Sequence, residues 1–310
     1  MDNILIAAEG LTRYYGDHRA IYAVNISLRR GEVLGFLGPN GAGKSTTMRI
    51  LSGVLAPTEG SVRIAGIDLL ERPRAAKTRL GYLPERPPLY RELCVDEYLR
   101  YCARLHRMPS SQIAEALQRV KSRCGIREVG DRLIGNLSKG YQQRVGVAQA
   151  IIHSPAVVIL DEPTVGLDPI QIREIRALIR ELKDDHGVIL STHILPEVQA
   201  ICDRVLLIHQ GCIVLDSPLQ ALAAASGQWR LRLRRPPALE ELQRINGVER
   251  AEMLDAQHVL LGGTKLDAEE IARQAVERGW GLIELAPHGH TLEEVFVQLT
   301  CGEAGVEAAA

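Results

Sequence analysis

The chain has 310 residues, with 37 basic and 38 acidic side chains and a formal charge of −1. That balance excludes a protein whose main task is neutralising nucleic-acid backbone, and the length leaves room for two domains. Hydrophobic residues reach 46%, yet no apolar run approaches the 18 residues of a membrane span, so a globular chain with a sizeable core is expected. In chain order, residues 4–8 and 23–28 read as strands, and the apolar run 33–37 reads as a buried strand. A glycine-rich loop follows, then a helix over about 45–53, a turn at 57–60 and a strand over 61–65. From 91 to 153 the periodicity is helical, broken at Gly125, Gly130 and Gly135. Residues 157–160 suit a central parallel strand, 170–182 an amphipathic helix and 188–191 a further strand. Strands alternating with helices predict an α/β fold with a parallel sheet covered on both faces.

Near residues 216–218 the pattern changes. Strand 229–234, helix 238–245, strands 248–253 and 258–261, helix 267–278 and strand 281–286 run in the order βαββαβ. That order suits a small α+β ferredoxin-like domain, with a helix over 292–299 after it. The predicted layout is a first domain over 1–217 holding a helical subdomain at about 88–155, an accessory domain over 227–300, and a tail over 301–310. Cys94, Cys102, Cys124, Cys202, Cys212 and Cys301 form no C-x-x-C pair, so reduced thiols in a reducing compartment are expected. The start, Met1-Asp2-Asn3-Ile4, lacks the basic opening of a signal peptide. His288 and His290 are too few for a metal site and read as loop histidines.

Two motifs carry chemistry directly. Gly38-Pro39-Asn40-Gly41-Ala42-Gly43-Lys44-Ser45 fits G-x-x-x-x-G-K-[ST] between a predicted strand and a predicted helix. Its glycines let successive N–H groups face one concavity, which together with the helix N-terminus holds a polyphosphate. Lys44 would neutralise the β and γ phosphates, and Ser45, followed by Thr46, would offer a hydroxyl to Mg²⁺. Downstream, the apolar strand 157–160 ends in Asp161-Glu162. Beside a phosphate loop, Asp161 would serve the metal and Glu162 would polarise an attacking water.

Leu137-Ser138-Lys139-Gly140-Tyr141-Gln142-Gln143-Arg144 resembles the signature of ATP-binding cassette (ABC) proteins. Val165-Gly166-Leu167-Asp168 resembles their D-loop, His193 their switch histidine, and Tyr15 their adenine-stacking aromatic. These motifs span about residues 4–217 in the family's order, so the chain is similar to the ATPase subunit of an ABC transporter. The resemblance implies a P-loop NTPase core that binds ATP and Mg²⁺, with Glu162 and His193 catalytic. It implies a head-to-tail pair of chains, each nucleotide lying between residues 38–46 of one copy and Ser138, Lys139 and Gly140 of the other, with Asp168 close by. It also implies a permease on a separate chain, met by residues 86–97, and a peripheral place on the cytoplasmic side of the plasma membrane. Ser138 equally suits a cap on the helix expected over 142–152.

Two positions depart from the family pattern. Glu85 stands where the family's Q-loop usually has glutamine; a carboxylate there can still meet Mg²⁺ but adds negative charge near the triphosphate. Lys139 replaces a usual glycine and reads as solvated. The segments 81–85, 137–141 and 163–169, with the tail-domain motif at 292–296, are similar to bacterial ABC-2 type exporter ATPases. The gap between Lys44 and Ser138 holds no sustained heptads or cysteine pairs, unlike chromosome-organising relatives. An alternative reading is an ABC ATPase with a regulatory or nucleic-acid-linked role; no nucleic-acid partner is expected on the primary reading.

Overall fold

The computed structural model describes residues 3–224, 228–263, 266–287 and 292–301. The chain divides into two compact units, Met1–Asp216 and Ser217–Ala310. The first opens with β1 (Ile4–Tyr15), β2 (His18–Arg29) and β3 (Val33–Leu37), then α1 (Lys44–Leu51), β4 (Glu59–Ile64), β5 (Ile67–Asp68), α2 (Pro73–Lys77) and β6 (Leu80–Leu83). Three helices follow, α3 (Val95–Leu105), α4 (Ser110–Arg123) and α5 (Lys139–Ile151). Next come β7 (Val157–Asp161), α6 (Pro169–Leu182), β8 (Gly187–Thr192), α7 (Leu195–Ile201), β9 (Arg204–His209) and β10 (Cys212–Pro218), which runs two residues past the boundary of the unit.

One sheet has the order β10-β9-β3-β8-β7-β6, with β9, β3, β8, β7 and β6 parallel. Alternate residues of its strands feed two different cores, which is why both faces are apolar. Val33, Val158, Leu160, Val188 and Leu190 pack with residues of α3 to α6. Leu34, Phe36, Val157, Ile159, Ile189, Leu206 and Ile208 pack with β1, β2, β4 and α1. A second sheet, β2-β1-β4-β5, is antiparallel.

Several elements differ in extent from their sequence-based expectation. The first strand runs through to Tyr15 instead of stopping at residue 8. Gly10 takes a left-handed φ of 61° at a register shift, and its N–H donates to Asn25 Oδ1 at 2.9 Å, so the strand bends and continues. The helical stretch breaks additionally at Arg107, which has φ 58°, just before Pro109. The helix α5 begins at Lys139 rather than 142, because Ser138 Oγ accepts the Tyr141 N–H at 3.4 Å and caps it.

The second unit continues with α8 (Leu219–Ala224), β11 (Gln228–Leu233), α9 (Leu239–Leu242), β12 (Arg250–Met253), β13 (His258–Gly262), α10 (Ala268–Glu277), β14 (Leu282–Pro287) and α11 (Leu292–Cys301). Its antiparallel sheet has the order β12-β13-β11-β14, the ferredoxin-like arrangement that the βαββαβ pattern implied. Leu231, Leu233, Val259 and Leu261 on the sheet pack against Leu242, Ile271, Ala275 and Trp280. The helix expected over 238–245 shrinks to four residues, although Ile245 beyond it stays buried. His288, His290 and residues 302–310 lie outside the described residues.

Candidate active site

Every residue of β3 is buried between β9 and β8, so the strand delivers the loop 38–43 to the C-terminal end of the parallel strands. Gly43 sits at φ 108°, directly ahead of α1. A Cβ there would lie 2.7 Å from Ile21 Cγ2 and 2.9 Å from the Ala20 carbonyl, so only glycine satisfies both the backbone and the packing. On the other side the Gly211 N–H donates to the Ala42 carbonyl at 3.0 Å. The loop is thus clamped between β2 and the β9–β10 turn. Lys44, 6% exposed, donates from Nζ to the carbonyls of Gly38 at 2.8 Å and Pro39 at 3.2 Å. Its Nζ also lies 3.8 Å from Glu162 Oε1. Burial lowers the lysine's pKa, while the nearby carboxylates of Glu162, Asp161 and Glu85 pull it back up.

The strands β7 and β8 place the acidic pair. Asp161, the last residue of β7, is 3% exposed, and its Oδ1 has no hydrogen-bond partner among the described residues. Burial lifts its carboxyl above the usual carboxylate range. Glu162 takes a left-handed φ of 48°, and its N–H donates to the Ser191 carbonyl at 2.9 Å. That turn aims the side chain at His193, whose Nδ1 is 2.9 Å from Oε1 and 3.0 Å from Oε2. A non-glycine residue in this region is strained, and such strain persists only where the surroundings over-determine it.

A cavity of 460 Å³ opens over these groups. Of the expected site residues it gathers Tyr15, Asn40, Gly41, Gly43, Lys44, Ser45, Thr46, Glu85, Glu162 and His193. It adds His18 and Ala20, which the motif reading missed, and Val165 of the expected D-loop. His18 was within reach of the sequence: Gly16-Asp17 is a turn pair, and the hairpin it makes sets His18 opposite Tyr15. Tyr15 is half-exposed, and the Arg13 guanidinium lies 5.1 Å from its ring centre.

The remaining expected residues sit elsewhere. Gly38 and Pro39 support Lys44 from behind, Ala42 is buried, and Asp161 lies beneath the cavity floor without lining it. Ser138 caps α5 and Gly140 packs on Gln171, where a Cβ would come within 2.5 Å of Cδ. Exposed Lys139 lines a second hollow of 620 Å³ with Pro87, next to the cavity, with which it shares Glu85 and Val165. Its ammonium lies over Gly166, in the space that a Cβ there would need. Asp168 caps α6, its Oδ1 accepting the N–H groups of Ile170 at 3.0 Å and Gln171 at 2.9 Å.

The family model described as "ABC transporter" matches residues 21–165. The ABC transporter ATP-binding protein NatA of Bacillus subtilis is 37% identical over 206 residues, which is 66% of this chain and 84% of NatA. The bacitracin transport ATP-binding protein BcrA of Bacillus licheniformis is 31% identical over 313 positions, covering 96% of this chain and 98% of BcrA. The chain belongs to the ATP-binding subunits of ABC transporters. A solved ATP-binding subunit of an ABC transporter superposes with a TM-score of 0.65 at 30% identity, over 71% of this chain and 92% of that one. This ABC subunit is accordingly an ATPase of the P-loop NTPase fold. The BcrA match takes in most of the second unit as well. Among the described residues no helix is long and apolar enough to cross a membrane.

Proposed function

We propose that this chain is the motor of an ABC-2 type exporter, working as a head-to-tail pair on the cytoplasmic face of a membrane beside a separate permease. One observation carries the pairing: Ser138, Lys139 and Gly140 lie outside the cavity that gathers Lys44, Glu162 and His193. A chain that uses both sets on one triphosphate needs a second copy to supply the signature. The helix α5 would then present its N-terminal N–H groups and dipole to the partner's γ-phosphate. Export is supported by the full-length likeness to BcrA, named for bacitracin transport. Affinity capture of the chain from membranes in mild detergent is expected to bring down a multi-span protein. Capture with nucleic acid and no such protein, with turnover stimulated by DNA or RNA, would favour the regulatory or nucleic-acid-linked reading.

Within the site, Lys44 would leave its loop carbonyls for the β and γ phosphates. Tyr15 would stack on the base, with Asn40, Gly41 and Gly43 lining the phosphate channel. Glu162 would take the proton from the attacking water, and His193 would hold that carboxylate while facing the γ-phosphate. The residues also fit Mg²⁺, which prefers one or two carboxylates plus substrate phosphates to a full protein cage. Asp161 supplies a buried oxygen without a partner, Ser45 a hydroxyl at the cavity, and Glu85 a second carboxylate. Among the described residues no group of three or more His, Cys, Asp or Glu side chains is placed to cage an ion by itself. Asp161, Ser45 and Glu85 would hold the ion, which neutralises developing phosphate charge when bound.

The sign of the Asp161 shift gives a test. Burial makes the folded chain hold this proton more tightly than the unfolded chain. The ionised carboxylate therefore costs stability above the raised pKa, and this cost fades as pH falls toward the ordinary value of about 3.9. Asp161→Asn is expected to raise the thermal midpoint by a few degrees at neutral pH without nucleotide. The same variant should need at least about tenfold more Mg²⁺ for half-maximal turnover. An unchanged Mg²⁺ requirement would remove Asp161 from the metal site.

A further inference from the structure

Behind the cavity, Glu197 on α7 is fully buried. Its Oε1 accepts the hydroxyl of Thr164, and its Oε2 accepts that of Thr192 at 2.9 Å. Arg176 of α6 brings Nη2 to 3.6 Å from Oε1. Thr192 Oγ1 in turn accepts the Ile194 N–H at 3.1 Å. A buried carboxylate is costly unless paired and hydrogen-bonded, and here both oxygens are engaged.

The partners make this arrangement more than local. Thr164 stands two residues after Glu162, and Thr192 immediately precedes His193. The segment leaving β7 and the segment leaving β8 are therefore tied by two side-chain links, besides the backbone bond from Glu162 N–H to the Ser191 carbonyl. In front, Glu162 meets His193 at 2.9 Å; behind, Thr164 and Thr192 share one carboxylate. The result is a closed ring through two short stretches of backbone, with Glu162 held at its left-handed φ between the ties. The ion pair with Arg176 adds α6, the helix that Asp168 caps.

We propose that Glu197 is a positioning residue that fixes Glu162 in register with His193. The inference rests on the reading of that pair as the catalytic base and its holder. Without Glu197 the backbone bond from Glu162 N–H to the Ser191 carbonyl would remain, but the only side-chain link between the two segments would be the Glu162–His193 contact, and the carboxylate could swing away from the attacking water.

A double-mutant cycle on the full chain tests this. Glu197→Gln keeps the shape but loses the charge, and its amide can satisfy only one hydroxyl as an acceptor. It is expected to lower kcat by about 10–100-fold with KM for ATP within about threefold of the parent, since a small misplacement acts on the chemical step. In a His193→Ala background the same change should cost less than about threefold more, because the register it protects is already lost. Thr164→Val, which removes one hydroxyl, should show the same pattern more weakly and decides the matter where Glu197→Gln does not fold. Parental kcat in a folded Glu197→Gln chain, or losses that simply multiply in the double variant, would overturn the proposal. Parental kcat in His193→Ala alone would instead overturn the catalytic pair, and this inference with it.

Discussion

Glu162→Gln is expected to lower steady-state ATP turnover by about 10²–10⁴-fold, the contribution typical of a positioned general base. ATP binding should survive and two chains should stay locked over the nucleotide. The amide matches the carboxylate in shape and can still accept from or donate to His193 Nδ1, now 2.9 Å away. What it cannot do is take a proton from water at neutral pH. Its neutrality also removes a negative charge 3.8 Å from Lys44, so the triphosphate meets less repulsion than in the parent. Size-exclusion chromatography with ATP should therefore show a dimer that the parent forms only transiently. Substitution by glycine would be a poorer probe, because it relaxes the backbone φ of 48° as well as removing the base. A Glu162→Gln chain that hydrolyses at the parental rate would show that another group activates the water.

The second large effect belongs to Lys44. Lys44→Ala is expected to weaken ATP binding by about 10–100-fold, matching the roughly 1.5–3 kcal/mol of a charge-assisted hydrogen bond. Turnover should fall at least as far. The ammonium is held among the carboxylates of Glu162, Asp161 and Glu85, as the direction of their influence on it shows. Removing it leaves those carboxylates facing an incoming polyphosphate with no counter-charge from the loop. The carbonyls of Gly38 and Pro39 lose a donor at the same time, but water entering from the cavity can replace it. The thermal midpoint is thus expected to drop by only a few degrees. Titration with a fluorescent ATP analogue separates the two effects; parental affinity in a folded Lys44→Ala chain would refute the assignment.

The parallel sheet was legible because its strands carry unbroken apolar runs. Residues 33–37 and 157–160 could hardly be anything but central strands, and each ends in a chemical motif. The ferredoxin-like unit was legible from element order alone. The far end of β1 was hidden because Glu9-Gly10 looks like a turn, and only the bond from Gly10 N–H to Asn25 reveals a bend within a strand. The helix break at Arg107 was hidden likewise, since a left-handed arginine leaves no mark in composition, although Pro109 was a usable signal. At the cavity, motif spacing pointed to the loop, the acidic pair and His193. His18 and Ala20 belong to no motif and arrive through the pairing of β1 with β2. Glu197 looks like an ordinary helix-surface glutamate until the fold buries it between two threonines and an arginine.

The contact between β6 and α5 has a mechanical meaning. A Cβ on Gly81 would collide with the Ala150 carbonyl, and one on Gly146 would stand 2.8 Å from Leu83 Cδ1 and 3.1 Å from Pro87 Cβ. Gln149 Nε2 also donates to the Tyr82 carbonyl at 2.9 Å. At Gly81 main chain thus rides directly on main chain, and at Gly146 the helix backbone sits against the Leu83 and Pro87 side chains, so the strand that leads to Glu85 packs closely on the helix that Ser138 caps. So close a seam leaves strand and helix little room to shift independently, and a tilt of one is expected to carry the other with it.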